Sequence, residues 1–199
     1  MVHPDLVDTF MNGVEEILRI APRLGCRNLG LLAGEIEVGT EKMPARYPVS
    51  LDPITTWVTA YKTVCQVAEL AEKHDVSYYI EALNTKVDHP GYPLSRVEDA
   101  LRLIEQVGSP RIKLILDIYH VQVEEGNVAE IIRSCGDAIG HVHVADVPGR
   151  HEPGTGEINY PFIVKTLRDV GYHGVVGLEA FPVADTGTAI ERFRELFTV

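Results

Sequence analysis

The chain has 199 residues, of which 45% are apolar and 24% charged, an ordinary balance for a globular domain with a substantial core. Lys and Arg number 18 against 29 Asp and Glu, so the formal net charge is −11. An acidic surface disfavours tight binding to phosphate backbones or anionic membranes. We therefore expect one domain over residues 1–199, with neither a nucleic-acid nor a membrane partner.

Cysteine usage and the first residues bear on where the protein works. Cys26, Cys65 and Cys135 are widely spaced and form no CxxC pattern, which is typical of reduced thiols in a cytoplasmic protein. The start, MVHPDLVDTF, is polar and acidic and lacks the features of a secretory signal. No apolar run approaches the roughly 20 residues of a membrane helix. The sequence therefore predicts a cytoplasmic location.

The first predicted elements alternate between helix and strand. Apolar residues at helical spacing predict a helix over 5–23, and the leucine-rich segment 26–34 predicts a buried strand. Residues 35–50 combine Gly, Pro and mixed charges, which predicts a loop. Asp52 predicts an N-cap, because Pro53 suits the first turn of the long helix that follows.

The same alternation continues to the end of the chain. A strand is predicted at 76–83, and Ser95 with Glu98 predicts a capping box at the start of a helix over 96–107. The remaining elements are a strand at 112–117, a short helix at 127–135, a strand at 139–145, a long loop, a helix at 161–170, a strand at 174–180 and a helix at 186–197. Five mostly apolar strands alternating with about six helices predict an α/β fold with parallel strands and right-handed crossovers.

Four polar residues lie at the ends of successive predicted strands. They are Glu81, Asp117, His143 and Glu179. Sites in parallel α/β folds gather at the carboxyl ends of strands, so we expect these groups at one level of four neighbouring strands. Converging carboxylates repel each other unless a cation lies between them. Unrelated strand-end charges bonded to loop amides are the alternative, but four in register favour a divalent metal site.

The donor set also indicates the metal. Oxygen-rich ligation with one imidazole suits Mn²⁺ or Mg²⁺, with Co²⁺ and Zn²⁺ as alternatives. His141 precedes His143 by two residues on the same strand face, and the residue nearer the strand end is the better ligand candidate. His120 follows Asp117 and could contact a substrate oxygen or cap the next loop. Arg150, in a Gly- and Pro-rich loop, could bind a substrate carboxylate or hydroxyl, or be an exposed loop cation.

Two long segments resemble a known family. IEALNTKVDHPGYPLSRVEDALRLIEQVGSPRIKLILDIYHVQVEEG and GHVHVADVPGRHEPGTGEINYPF are similar to the hydroxypyruvate isomerase family, which belongs to the xylose-isomerase-like TIM barrels. The resemblance runs from about Pro4 onward, and ADVPGRHEPGTGEINYP is its most specific motif. It implies a xylose-isomerase-like TIM barrel whose metal is bound by the residues matching the family ligands, namely Glu81, Asp117, His143 and Glu179.

The resemblance also implies a reaction. A divalent metal would chelate the carbonyl and hydroxyl oxygens of a small α-hydroxy carbonyl compound and acidify the neighbouring C–H bond. One of the catalytic residues Glu81 and Glu179 would remove the proton, and the other would return it. His120 and Arg150 would hold and polarise the substrate. For hydroxypyruvate, the product would be tartronate semialdehyde (2-hydroxy-3-oxopropanoate).

The sequence is also compatible with other functions. The family isomerases are expected to carry Gln at the position of His143, whereas His there is shared with ketose 3-epimerases. A ketose 3-epimerase is therefore an alternative, although the PGRHEPGTGEINYP loop disfavours it. A non-catalytic truncated barrel that binds partners is a third reading. A repair endonuclease on the same fold is disfavoured by the net charge of −11 and the lack of further His or Asp ligand clusters.

The number of strands sets a further expectation. A TIM barrel has eight βα units, whereas five strands are predicted here, and the resemblance begins near the helix before the fourth family strand. We therefore expect a partial barrel. An open parallel sheet would expose backbone edges, so a homo-oligomer covering the sheet is one expectation, and a displaced sequence start is another.

Overall fold

The computed structural model describes residues 1–34 and 52–197, and the predicted loop at 35–50 lies outside the described residues. The strands are β1 (Asn28–Leu31), β2 (Ser77–Glu81), β3 (Ile112–Asp117), β4 (Ile139–Val144) and β5 (Val175–Leu178). The helices are α1 (Val7–Ile20), α2 (Pro53–His74), α3 (Val97–Val107), α4 (Ile118–Glu124), α5 (Val128–Cys135), α6 (Tyr160–Asp169) and α7 (Thr186–Phe197). Short 3-10 helices cover Pro4–Leu6, Ala21–Leu24 and Gly136–Ala138.

The strands form one parallel sheet in the order β1-β2-β3-β4-β5. Consecutive strands are neighbours, as expected when each crossover returns the chain to the adjacent position. The sheet is a half-barrel, which confirms the predicted α/β class, and residues 1–34 and 52–197 contain the five predicted strands. Within the described ranges, none of the helices is long and apolar enough to cross a membrane.

The core lies between the sheet and the helices. Alternate side chains of the central strands are almost completely buried on this face, namely Tyr78, Ile80, Leu114, Leu116, Val142 and Val144. They pack against helices such as α2, whose Val64, Val67 and Ala71 are also buried. Because side chains alternate along a strand, the residues between these positions point to the opposite, concave face of the half-barrel.

A shift in register decides which residues of β4 reach the concave face. Leu114 of β3 pairs with Ile139, but Ile115 pairs with His141, so Gly140 is skipped. Without the shift, the alternation would place His141 and His143 on the core face, since a one-residue slip exchanges the two faces.

Helix α4 occupies residues that the sequence prediction left without an element. It begins directly after β3, because the Asp117 carboxylate accepts hydrogen bonds from the backbone N–H groups of Tyr119 at 2.8 Å and His120 at 3.1 Å. Asp117 therefore ends a strand and caps a helix at once.

The predicted capping box at Ser95 and Glu98 is wrong. Helix α3 begins at Val97 with Arg96 as its N-cap, and the Val97 N–H donates at 2.8 Å to the carboxylate of Glu125, which follows α4. Arg96 also forms an ion pair with Glu125 at 3.2 Å. Glu125 therefore satisfies the first N–H group of α3, and Glu98 instead pairs with Arg102.

Gly140→Ala tests the register shift. A Cβ at residue 140 would lie 2.8 Å from a ring carbon of Tyr79 and 2.9 Å from Cβ of Lys113, so the Tyr79 ring or the strands must shift. We expect a loss of about 1–3 kcal/mol in the free energy of unfolding, measured by urea denaturation.

Gly13→Ala is the matched control, because no atom lies within 4 Å of its added Cβ in α1. It should stabilise the protein by about 0.5–1 kcal/mol, since Ala is the better helix former. Equal stability of the Gly140→Ala variant and the parent would contradict the role assigned to Gly140.

Candidate metal centre

The structure brings the four predicted ligands together. Each offers one ligand atom, and these atoms lie within 4.8 Å of one another in Glu81, Asp117, His143 and Glu179. The first two end their strands, and His143 is the penultimate residue of β4. Glu179 directly follows β5, where its N–H donates to the carbonyl of Val144 at 3.1 Å.

The four residues share one face of the sheet, and their ligand atoms meet at one end of it. Glu81 pairs with Ile115, two residues before Asp117, whereas Asp117 pairs directly with His143. His143 in turn pairs with Gly177, two residues before Glu179. These two-residue steps are the stagger expected of strands tilted around a barrel axis, where it offsets the tilt and lets residues of neighbouring strands meet. Even-numbered steps keep all four side chains on the concave face.

Asp117 is the buried centre of the cluster, with a relative exposure of 2%. Its Oδ1 caps α4, whereas its Oδ2 has no hydrogen-bond partner within residues 1–34 and 52–197. Burial, followed by the charge of Glu81, raises the pKa of Asp117 to about 7, although Arg150 opposes the shift. A buried carboxylate oxygen without a partner is the feature that a bound cation would satisfy.

His143 lies between the two glutamates. Its Nδ1 is 3.3 Å from Oε1 of Glu81 and 3.5 Å from Oε2 of Glu179. Burial lowers the pKa of His143, but the hydrogen bond and charge of Glu81 and the charge of Glu179 outweigh burial and raise it overall. The ring of His141 packs edge-on against His143, with centroids 4.8 Å apart, and His141 is not one of the four clustered groups.

Arg150 reaches the cluster from the long loop after β4. Its Nη2 forms an ion pair with Oε2 of Glu179 and lies 3.6 Å from Oδ2 of Asp117. Its guanidinium also lies over the ring of Tyr119, 5.0 Å from the centroid. Although burial lowers the pKa of Arg150, the carboxylates of Asp117 and Glu179 raise it overall, so the cation is retained.

His120 lies below the cluster and is 2% exposed. Its Nε2 is 3.8 Å from Oδ2 of Asp117, and its Nδ1 is 3.1 Å from the backbone nitrogen of Asn84. Burial, followed by the positive charge of Arg150, lowers the pKa of His120 to about 2. A neutral imidazole therefore borders the site, and both predicted substrate-binding residues, His120 and Arg150, lie beside the four predicted ligands.

Three further residues shape the site without having been identified from the sequence. Tyr119 supports Arg150, Asn84 contacts His120, and Asp146 organises the long loop. Asp146 is fully buried and accepts hydrogen bonds from the backbone N–H groups of Val147, Gly154 and Ile158. In the sequence, only its position just after a predicted strand could have indicated this role. Its partners are backbone groups, which leave no residue-type pattern.

The donor set fits a divalent cation. Three carboxylates and one imidazole converge, and one buried carboxylate oxygen lacks a hydrogen-bond partner among the described residues. Backbone N–H groups of α4 bond Oδ1 of Asp117, but no N–H group of the described residues bonds its Oδ2, so bonding to loop amides does not account for this charge. Oxygen donors with a single imidazole are typical ligands for Mn²⁺ or Mg²⁺.

The fold and this cluster define the class of protein. Residues 2–196 match the family described as xylose isomerase-like TIM barrel, so the chain belongs to that family. Over 185 residues it is 34% identical to hydroxypyruvate isomerase of Escherichia coli, covering 92% of this chain and 66% of that protein. Over 148 residues it is 35% identical to 2-oxo-tetronate isomerase of Cupriavidus necator, covering 74% of this chain and 56% of that protein.

Solved structures show the same architecture. A structure described as AP endonuclease, family 2, from Brucella melitensis superimposes with a TM-score of 0.85 at 30% identity, covering 98% of this chain and 70% of that chain. D-psicose 3-epimerase from Clostridium cellulolyticum superimposes with a TM-score of 0.79 at 26% identity, covering 98% and 65%. The chain thus spans about two thirds of the length of these relatives.

Asp117→Asn tests whether the buried charge of Asp117 destabilises the metal-free protein. Because folding raises the pKa of Asp117 from its usual 3.8 to about 7, the folded state binds a proton more tightly than the unfolded state. Stability in EDTA should therefore fall as pH rises from about 4 to about 7. Asn removes the charge, so at pH 8 the variant's Tm should rise by at least about 3 °C, corresponding to roughly 1 kcal/mol.

Asp99→Asn, at a partly exposed position of α3 outside the ligand cluster, should leave both the Tm and its pH dependence close to those of the parent. Added Mn²⁺ should reverse the order, stabilising the parent more than the Asp117→Asn variant, because only the parent retains all four ligands. A lower Tm for Asp117→Asn than for the parent in EDTA would contradict the account.

Proposed function

We propose that this protein is a metal-dependent isomerase of small α-hydroxy carbonyl compounds. The observation that carries the proposal is the convergence of four ligand atoms within 4.8 Å at one end of the sheet. The similarity to hydroxypyruvate isomerase and 2-oxo-tetronate isomerase supports the substrate class. The leading reaction is the conversion of hydroxypyruvate to tartronate semialdehyde.

Glu81, Asp117, His143 and Glu179 would hold the ion, for which Mn²⁺ and Mg²⁺ are the leading candidates. When bound, a divalent ion supplies Lewis-acid polarisation of the substrate oxygens, which acidifies the C–H bond between them. Asp117 is well suited to a purely ligating role, because its Oδ1 is held by the backbone N–H groups of Tyr119 and His120 at the start of α4.

The two glutamates would move the proton. Glu81 is buried and Glu179 is half-exposed, and one carboxylate oxygen of each lies near Nδ1 of His143, at 3.3 and 3.5 Å. In the forward reaction one carboxylate takes a proton from C3 of hydroxypyruvate, and a proton is returned to C2. The C3 hydroxyl proton passes to the C2 oxygen, so the product is an isomer of the substrate.

The remaining polar groups would orient the substrate. Arg150 lies within reach of the cluster and is held over Tyr119, where its guanidinium can bind a substrate carboxylate or hydroxyl. His120 is buried and neutral and can offer its ring N–H to a substrate oxygen. Fixing the substrate in this way lowers the entropic part of the barrier.

A ketose 3-epimerase is the second candidate. It is favoured by the TM-score of 0.79 with D-psicose 3-epimerase and by the imidazole of His143 among the ligands. Both reactions remove a proton next to a carbonyl group, so one site could serve either. A nuclease is disfavoured by the net charge of −11 and by the single ligand cluster within the described ranges.

Glu179→Gln tests the proposed chemistry. Loss of the carboxylate should reduce kcat/KM for hydroxypyruvate at least about 100-fold with saturating Mn²⁺, because general acid–base groups contribute roughly 10²–10⁴-fold. Glu157→Gln is the matched control: its exposed side chain, in the loop after β4, accepts a hydrogen bond from Gln122 and lies outside the ligand cluster. Its kcat/KM should remain within about twofold of the parent.

The assay should compare hydroxypyruvate, 2-oxo-tetronate and free ketoses, each with and without EDTA. Faster turnover of ketoses would favour the epimerase. Absence of a stoichiometric divalent ion, together with an unchanged Glu179→Gln variant, would contradict the proposal.

A further inference from the structure

Asn84 is a fully buried polar residue three positions after Glu81. Its Oδ1 accepts hydrogen bonds from the backbone N–H groups of Val87 and Asp88, both at 3.0 Å, which closes the turn after β2. Its Nδ2 donates to Oδ2 of Asp88 at 2.6 Å. These bonds fix the orientation of the amide, because two backbone donors can only face its oxygen.

With the amide oriented, two donors converge on one nitrogen of His120. The backbone N–H of Asn84 lies 3.1 Å from Nδ1 of His120, and Nδ2 of Asn84 lies 2.7 Å from the same atom. Neither Asn84 group can accept a hydrogen bond. Nδ1 of His120 must therefore present its lone pair, which leaves the ring proton of the neutral imidazole on Nε2.

The opposite side of the ring faces the proposed metal centre. Nε2 of His120 lies 3.8 Å from Oδ2 of Asp117, the buried oxygen without a hydrogen-bond partner among the described residues. An Nε2–H group there can donate to an oxygen that gains negative charge during proton removal. In the other tautomer Nε2 would carry a lone pair, which would repel a negatively charged substrate oxygen.

We propose that Asn84 is a positioning residue that fixes the tautomer of His120, so that the ring offers an N–H donor to a substrate oxygen. This role of Asn84 rests on the proposed isomerase function, which supplies the substrate oxygen. It specifies the substrate group beside His120 as a hydroxyl or carbonyl oxygen, and it assigns Asn84 no direct contact with the substrate.

The test exchanges the polarity of the Asn84–Asp88 pair. In the double variant Asn84→Asp/Asp88→Asn, the amide at residue 88 can donate to the carboxylate at residue 84, so their hydrogen bond is kept. The side-chain donor facing Nδ1 of His120 becomes an acceptor, which favours a proton on Nδ1. The single variant Asp88→Asn is the matched control, because Asn84 and its contacts with His120 are retained.

Long-range ¹H–¹⁵N NMR of the histidine rings reports the tautomer directly, with Mg²⁺ present and His120 assigned from the His120→Gln variant. We expect an Nε2–H tautomer in the parent and in Asp88→Asn, and a proton on Nδ1 in the double variant. The kcat/KM of the double variant should fall about 10²-fold or more, as when a donor to a developing oxyanion is lost, with Mn²⁺ affinity within about threefold of the parent.

Retention of the Nε2–H tautomer in the double variant would overturn the proposal, as would its loss in Asp88→Asn alone. A tautomer change with unaltered kcat/KM would also overturn it. If the proposed isomerase function is wrong, the parent protein will show no metal-dependent turnover. The NMR result will still decide whether Asn84 fixes the His120 tautomer.

Discussion

Electrostatic repulsion among three carboxylates is the constraint on which the rest of the site depends. Glu81, Asp117 and Glu179 converge with His143 at one end of the sheet, and the first two are largely removed from water. Bringing buried charges of one sign together costs free energy unless an opposite charge lies between them. Arg150 supplies one positive charge, and a divalent ion is the natural source of more.

The sheet makes this convergence geometrically possible. Parallel strands bring their carboxyl ends to one edge, and the two-residue steps between neighbouring strands keep every ligand on the concave face. The skipped residue Gly140 is essential here, because it turns His143 towards the carboxylates. Glycine also leaves room for the Tyr79 ring, so one backbone feature serves both the packing of the sheet and the position of a ligand.

The sequence predicted the five strands and the four clustered residues because both depend on local patterns. Apolar runs mark the strands, and a charged residue at the end of such a run stands out. The start of α3 could not be predicted in this way, since Glu125, which satisfies its first N–H, lies 28 residues along the chain from Val97. The sequence did not predict helix α4, because its N-cap, Asp117, is also the last residue of an apolar strand pattern.

Asn84 was missed for a related reason, since an Asn after a strand is typical of any turn. Its contact with His120 depends on how β2 and β3 lie side by side, which the order of residues does not display. The roles of His120 and Arg150 as substrate-binding residues remain predictions, although both residues border the cluster.

The most direct test of the central claim is crystallography of the protein with Mn²⁺, using anomalous scattering to locate the ion. The account predicts one strong anomalous peak bounded by Glu81, Asp117, His143 and Glu179, with Oδ2 of Asp117 as a ligand. Two results would contradict the account. One is well-ordered electron density for all four side chains with no anomalous peak between them. The other is a peak bound only by other residues.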